Sequence, residues 1–349
     1  MSGGSHPYLQ QPDRAFWSRA VARGFDATDM LAPAAPLLRK DDRIISAGSC
    51  FAANIAPLIE RAGFHYLRTE IMDEDGDRFG YSRYSAGYGN IYTPRQLLQL
   101  LRRATGAFKP ADDRWRDEGR VIDLFRPGLS CPAEDDEELD LITSSHLSLT
   151  LQAFSSATVL IFTLGLTEAW ASKIDGAVYP VCPGTVAGAF APDRYQFVNL
   201  GVSETIADLR AALGLLREIN AGLRVMLSVS PVPLMATATP AHVLSASTYS
   251  KSVLRVACEE ICASEPGVVY FPAYEIIHAP GHGQNFESDL RSISAVGLEA
   301  VASALFAHSQ TPDVPADSVK RDLSGILSKA LVQFECEETM NDPARAAEP

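Results

Sequence analysis

The residues best placed for chemistry lie in the run Arg43-Ile44-Ile45-Ser46-Ala47-Gly48-Ser49-Cys50-Phe51. An apolar strand runs there into a Gly-Ser turn, and a helix begins at once. Phe51, Ile55, Leu58, Ile59 and Ala62 recur at the three-and-four spacing of one buried face, and Gly63 stops it. A serine between strand end and helix start presents its hydroxyl at the carboxyl edge of a sheet. The N–H groups of the first helical turn have no partner inside the helix and suit a developing oxyanion. The chemistry expected is attack by Ser49 on an acyl carbon, with Cys50 at the oxyanion. The plain alternative is a turn serine that caps a helix.

Such a nucleophile needs a proton acceptor within hydrogen-bond reach, and imidazole suits neutral pH best. Seven histidines are present. His6 and His308 are near the ends, His65 falls on a strand and His146 inside a helix. His278 and His282 lie in a loop before Asp289, and His242 follows the turn Ser230-Pro231-Val232-Pro233-Leu234. The six cysteines (Cys50, Cys131, Cys182, Cys258, Cys262, Cys336) include no CxxC and no histidine at ligand spacing. Neither structural zinc, nor a disulfide framework, nor any metal or cofactor is expected.

The elements that must position these residues alternate. Strands at 43–48, 65–68, 158–164, 223–229 and 268–271 are interleaved with helices beginning at Cys50, Pro94, Glu137, Ser203, about Thr248 and Ser294. The continuous apolar run Thr158-Val159-Leu160-Ile161-Phe162-Thr163-Leu164 is that of a strand covered on both faces. The fold expected is a three-layer α/β/α sandwich with a mainly parallel sheet, flavodoxin-like, with every motif loop on one edge. It comprises an N-terminal arm (1–40), an α/β domain (41–309) with a loop insertion at 171–202, and a C-terminal segment (310–349). In the arm, Asp13 caps a helix whose stripe of Phe16, Trp17, Ala20 and Val21 wants a partner. The insertion reads as a hairpin at Asp175-Gly176 and a loop that roofs a pocket. Trp170, Tyr179 and Tyr195 are either surfaces for a sugar or core. Val319, Leu323, Ile326, Leu327, Leu331 and Phe334 form an apolar stripe that would cover another surface, this chain's own or a second subunit's.

Gly48-Ser49-Cys50-Phe51-Ala52 spells the pentapeptide that names the GSCFA family, and further blocks stand in order: Gly89 to Pro94, Phe162 to Trp170, Ser228 to Leu234, Tyr249 to Arg255 and Tyr270 to Ile277. On these the chain is identified as a member of that family, which resembles the SGNH/GDSL hydrolases. The resemblance implies that Ser49 is the nucleophile. It implies that Gly89-Asn90 is the second block, whose glycine N–H helps to hold the oxyanion; a tight turn is the alternative. In the third block Thr167 and Glu168 replace an Asn-Asp pair. In the last block, Asp289-Leu290-Arg291-Ser292, serine stands where the histidine belongs. The family association favours His242 as base, oriented by Asp289 or Glu168, with an imidazole nitrogen within about 4 Å of the Ser49 hydroxyl.

Composition excludes other classes. Across 349 residues, 46% hydrophobic, a substantial core can form. A net charge of −13 leaves no basic surplus for nucleic acid. No run reaches membrane-spanning or signal-peptide length, so a cytoplasmic protein is expected. The functional expectation is a serine ester hydrolase or O-acyltransferase acting through an acyl-enzyme on Ser49. Its substrate would be a small-molecule or glycan ester, such as an O-acetylated carbohydrate or glycolipid. The alternatives are a non-catalytic carbohydrate-binding protein on a decayed scaffold, preferred if no histidine approaches Ser49, and an interaction protein.

Overall fold

The computed structural model describes residues 6–71, 83–117, 119–127, 132–281 and 283–310. The chain starts with short 3-10 turns and a four-residue helix, α1 (Trp17–Ala20). β1 (Arg43–Gly48), α2 (Cys50–Arg61) and β2 (His65–Tyr66) follow, then α3 (Pro94–Ala104), the hairpin β3 (Arg114–Asp117) and β4 (Arg120–Asp123), and α4 (Asp136–Ser156). Next come β5 (Val159–Leu164), β6 (Glu168–Ser172), β7 (Val178–Tyr179), β8 (Tyr195–Asn199) and α5 (Val202–Ile219). The chain closes through β9 (Arg224–Val229), α6 (Val243–Ser264), β10 (Val268–Tyr270), α7 (Ala273–Ile277) and α8 (Ala295–Ala307).

The central sheet has the order β10-β9-β5-β1-β2, every pair parallel. Along β5, Leu160, Phe162 and Leu164 point to one side, where Leu97, Leu101, Phe154, Leu213 and Leu254 of α3, α4, α5 and α6 cover them. Val159 and Ile161 point to the other side, against Phe51 and Ile59 of α2 and Ile276 and Leu298 of α7 and α8. Successive strand side chains alternate between faces, so a strand buried on both is apolar at nearly every position, here all but Thr163. The result is the expected three-layer sandwich. Its helices start on capping residues readable in sequence: Thr93 with Gln96 in a reciprocal capping box, Asp135 at α4 and Ser294 at α8.

The insertion is more ordered than a loop. β6 pairs antiparallel with both β7 and β8, and Gly176 (φ 74°) turns the expected hairpin. Tyr179 and Tyr195 are buried with Trp115 and Leu124 of the β3–β4 region in a second, small core. Of the three aromatics open to either role, two are therefore packing residues.

The arm also differs from expectation. α1 is a single turn, too short for an apolar stripe, and Trp17 is 69% exposed. Docking falls instead to the 3-10 turn Ala27–Met30 against α8, where the His308 ring donates to Thr28 O at 2.6 Å. The stripe between Val319 and Phe334 lies outside the described residues. Among the described residues no helix is long and apolar enough to cross a membrane.

Candidate functional site

Gly48 ends β1 at φ 144°, and a Cβ there would lie 2.4 Å from Thr163 O. Only glycine lets the chain pass so close to β5 before it turns into α2. Ser49 is the N-cap of α2, yet its side chain makes no capping bond. Its hydroxyl donates instead to Ser230 Oγ at 3.1 Å, and both serines are buried. Ser49 follows β1 and Ser230 follows β9, with β5 lying between them. Strands two apart are separated by roughly 10 Å. The hydroxyls meet because β5 ends at Gly165, where a Cβ would lie 3.4 Å from Ser49 Cβ and 3.0 Å from the Tyr92 ring.

Helix α6 supplies the other wall. Ser250 Oγ accepts from Thr167 N–H at 2.9 Å, Ser247 Oγ accepts from Leu234 N–H at 3.4 Å, and Lys251 Nζ donates to Gly165 O. All three side chains are buried. Ser49, Ser230, Lys251, Tyr92, Leu166 and Leu234 are among the residues around a cavity of about 10 Å³. Leu166 and Leu234 also border a cavity of about 230 Å³ with Glu168, Trp170, Cys182, Thr185, Phe197 and Thr237 on its walls. Thus a narrow pocket at Ser49 adjoins a larger one roofed by the β6–β8 insertion.

The structure does not bring His242 to Ser49. α6 begins at Val243 rather than near Thr248, and His242 is its exposed N-cap, with Nδ1 accepting from Leu244 N–H at 3.2 Å. The imidazole is spent on starting the helix. Among the described residues no histidine lines the Ser49 cavity. His278 donates to Tyr274 O and stacks on Tyr274, and burial holds its pKa below the ordinary value. His146 is buried, its pKa pushed down to about 4 first by burial and then by Arg126. It is neutral and donates Nδ1–H to Glu70 at 2.8 Å. His282 lies outside the described residues.

The remaining expected site residues have structural partners. Asp289 accepts from Arg291 N–H, Ser292 N–H and Ser292 Oγ at 2.9, 2.8 and 2.7 Å, so its carboxylate closes its own exposed turn. Thr167 donates its hydroxyl to Asn199 Oδ1 at 2.7 Å, and with its N–H on Ser250 it has no donor left for an oxyanion. Glu168 accepts from Thr237 Oγ1 at 2.6 Å and Ala238 N–H at 3.2 Å and anchors the segment after Leu234. Gly89 takes the left-handed conformation (φ 68°) where the turn reading put Asn90, and Asn90 is buried. Asn90 faces a separate cavity of about 30 Å³ beside Arg103, Arg126 and His146. The same loop braces two strand ends, through Ile91 N–H to Gly48 O and Gly165 N–H to Tyr92 O, both 2.8 Å. Cys50 is disulfide-bonded. Cys182, Cys258 and Cys262 are free, so its partner lies outside the described residues. The sequence offered no sign of that bond, which leaves Cys50 no thiolate to compete with Ser49.

A family model matches residues 43–305, and its description is the GSCFA family. The chain belongs to the GSCFA family. No curated protein matches it. The GSCFA match runs from the start of β1 into α8 and so contains Ser49, Ser230 and Lys251.

Sequence reading missed the last two. Ser230 was read as part of a turn and Lys251 as part of a family block, neither with a chemical role. The available signal was the helical register. Lys251, Leu254, Cys258 and Ile261 share one face of α6, and a lysine on a face otherwise apolar has to answer for its burial.

Proposed function

We propose that this GSCFA protein is an SGNH-like serine ester hydrolase or O-acyltransferase whose acyl-enzyme forms on Ser49. The observation that carries the reading is the Ser49 hydroxyl, turned away from its own helix and bonded at 3.1 Å to Ser230 Oγ beside a small pocket. A serine that served only to cap α2 would bond the N–H of the second or third helical residue. The 230 Å³ cavity is the room for substrate, with Trp170 and Phe197 as aromatic walls suited to an acylated sugar. Hydrolysis and transfer differ in whether water or a bound alcohol then attacks the acyl-enzyme. The test is incubation with a fluorophosphonate and short-chain aryl esters, read by mass spectrometry of the Ser49 peptide. Covalent mass on Ser49 supports the reading, and mass on another residue or on none refutes it.

A second reading has its own support. Among the described residues no histidine lines the Ser49 pocket, the outcome for which the sequence prefers a carbohydrate-binding protein that has lost catalysis, and Thr167 is fully engaged. It predicts saturable binding of acetylated oligosaccharides, unchanged in Ser49→Ala, with no covalent labelling.

A further inference from the structure

Among the described residues the Ser49 hydroxyl hydrogen-bonds one side chain, that of Ser230. Ser230 Oγ accepts there and accepts again from Val232 N–H at 3.3 Å. A hydroxyl has two acceptor sites and one donor. Ser230 therefore has its lone pairs engaged, and among the described residues its proton goes to no protein acceptor. Lys251 enters the same pocket from α6, held by the carbonyl of Gly165, the residue over which the two serines meet. A hydroxyl nucleophile, a hydroxyl able to pass a proton and an amine thus converge on the end of β5.

We propose that Ser230 and Lys251 are the proton relay of this site, with the neutral amine of Lys251 as terminal acceptor; the proposal rests on the reading of Ser49 as nucleophile. As Ser49 Oγ bonds to the acyl carbon, its proton passes to Ser230 Oγ while the Ser230 proton passes to Lys251 Nζ, leaving an ammonium. Collapse of the tetrahedral adduct breaks the ester C–O bond, and the leaving alkoxide takes a proton back along the same path. Water or an acceptor alcohol then gives its proton to the relay as it attacks the acyl-enzyme, and Ser49 recovers the hydrogen when it leaves. Every proton released is returned, and no further reactant is needed. Lysine can perform this work because its amine readily loses charge when desolvated. Arginine cannot, because its guanidinium stays protonated. This separates the relay from its two rivals: Lys251 as a fixed cation facing the oxyanion, and Lys251 as a strut beneath Gly165.

The test uses the full chain and the pH dependence of fluorophosphonate labelling at Ser49. The unaltered protein should label faster as pH rises through one ionisation. Lys251→Met should slow labelling at least about 100-fold and flatten the profile, as expected for removal of a general base. Lys251→Arg should be equally slow, and small primary amines should restore labelling of Lys251→Ala in order of their basicity. Ser230→Ala leaves α6 intact and should slow labelling at least about 10-fold, which keeps the proposal open to refutation if the lysine variants misfold. Wild-type rates in Lys251→Arg, or an unmoved profile in Lys251→Met, would overturn the relay while leaving the nucleophile in place. No labelling of Ser49 in the unaltered protein would overturn both.

Discussion

Replacing Gly165 with alanine tests whether the meeting of two serines across β5 sets the reactivity of the site. Gly165 does not have a positive φ, so alanine can adopt its backbone. The added methyl would lie 3.0 Å from Tyr92 Cδ1 and 3.4 Å from both Ser49 Cβ and Tyr92 Cα. Carbon atoms rest about 3.5–4.0 Å apart, so roughly 0.5 Å must be relieved. Tyr92 is held in the core and by its carbonyl bond to Gly165 N–H, whereas the Ser49 side chain borders a small void. The tight contact is the one to Tyr92, so the methyl yields toward Ser49, and a shift of roughly 0.5 Å passed to Ser49 takes the 3.1 Å hydroxyl pair to roughly 3.6 Å, beyond hydrogen-bond range. Overpacking of this kind costs about 1–3 kcal/mol. Expressed at the reacting group, that is about 10- to 100-fold in rate. The second-order rate of fluorophosphonate labelling at Ser49 should fall by that factor, with thermal unfolding still cooperative. Undiminished labelling in a destabilised Gly165→Ala would show the serine contact to be irrelevant to reactivity.

Ser49→Ala should abolish labelling and lower any esterase rate by about 10⁴-fold or more, the consequence of removing a nucleophile. Its stability should be nearly unchanged, because Ser49 makes no capping bond. His242→Ala should cost about 1 kcal/mol in urea unfolding through loss of the α6 cap and leave labelling untouched. A collapse of labelling would return the imidazole base to consideration. Stability should also fall with acid through His146. Its folded pKa of about 4 lies below the unfolded 6.5, so the contribution is present above pH 6.5 and is lost as pH falls toward 4. Between pH 7 and pH 5 the loss is about 2 kcal/mol. A mutant His146→Gln with the same pH slope would refute that assignment.

The fold was legible because its signals are local. The almost wholly apolar β5, the caps Thr93 and Ser294, and the Gly-Ser turn at the end of β1 each declare their element within a few residues. The site was half legible for the same reason. Ser49 announces itself by what adjoins it in sequence, but its partner is 181 positions away and becomes a partner only through the β10-β9-β5-β1-β2 order. His242 was misplaced by a boundary. The residues before Thr248 carry no strong apolar period, so the true start of α6, which turns the imidazole into a cap, could not be read. The β6–β8 insertion was underestimated because its pairing joins 168–172 to 195–199 across a stretch rich in glycine and proline. Pairing at such a distance leaves no periodic trace in either strand alone.

The altered last block then acquires a physical role. Ser292, standing where the resemblance expects a histidine, donates to Asp289, so the carboxylate has a partner without an imidazole and the turn keeps its shape. From that turn Arg291 Nε donates to Pro233 O at 3.1 Å, which ties it to the Ser230-to-Leu234 segment. That segment is held again by Ser247 of α6 and, through Thr237 and Ala238, by Glu168. Asp289 and Glu168, expected from sequence to orient a base, and Ser292, which stands in the histidine's place, thus tie down the segment that follows Ser230. Placement of Ser230 matters only if its hydroxyl has work to do. A chain that had merely lost its histidine would have no reason to brace, from three directions, the segment that begins at the hydroxyl Ser49 bonds.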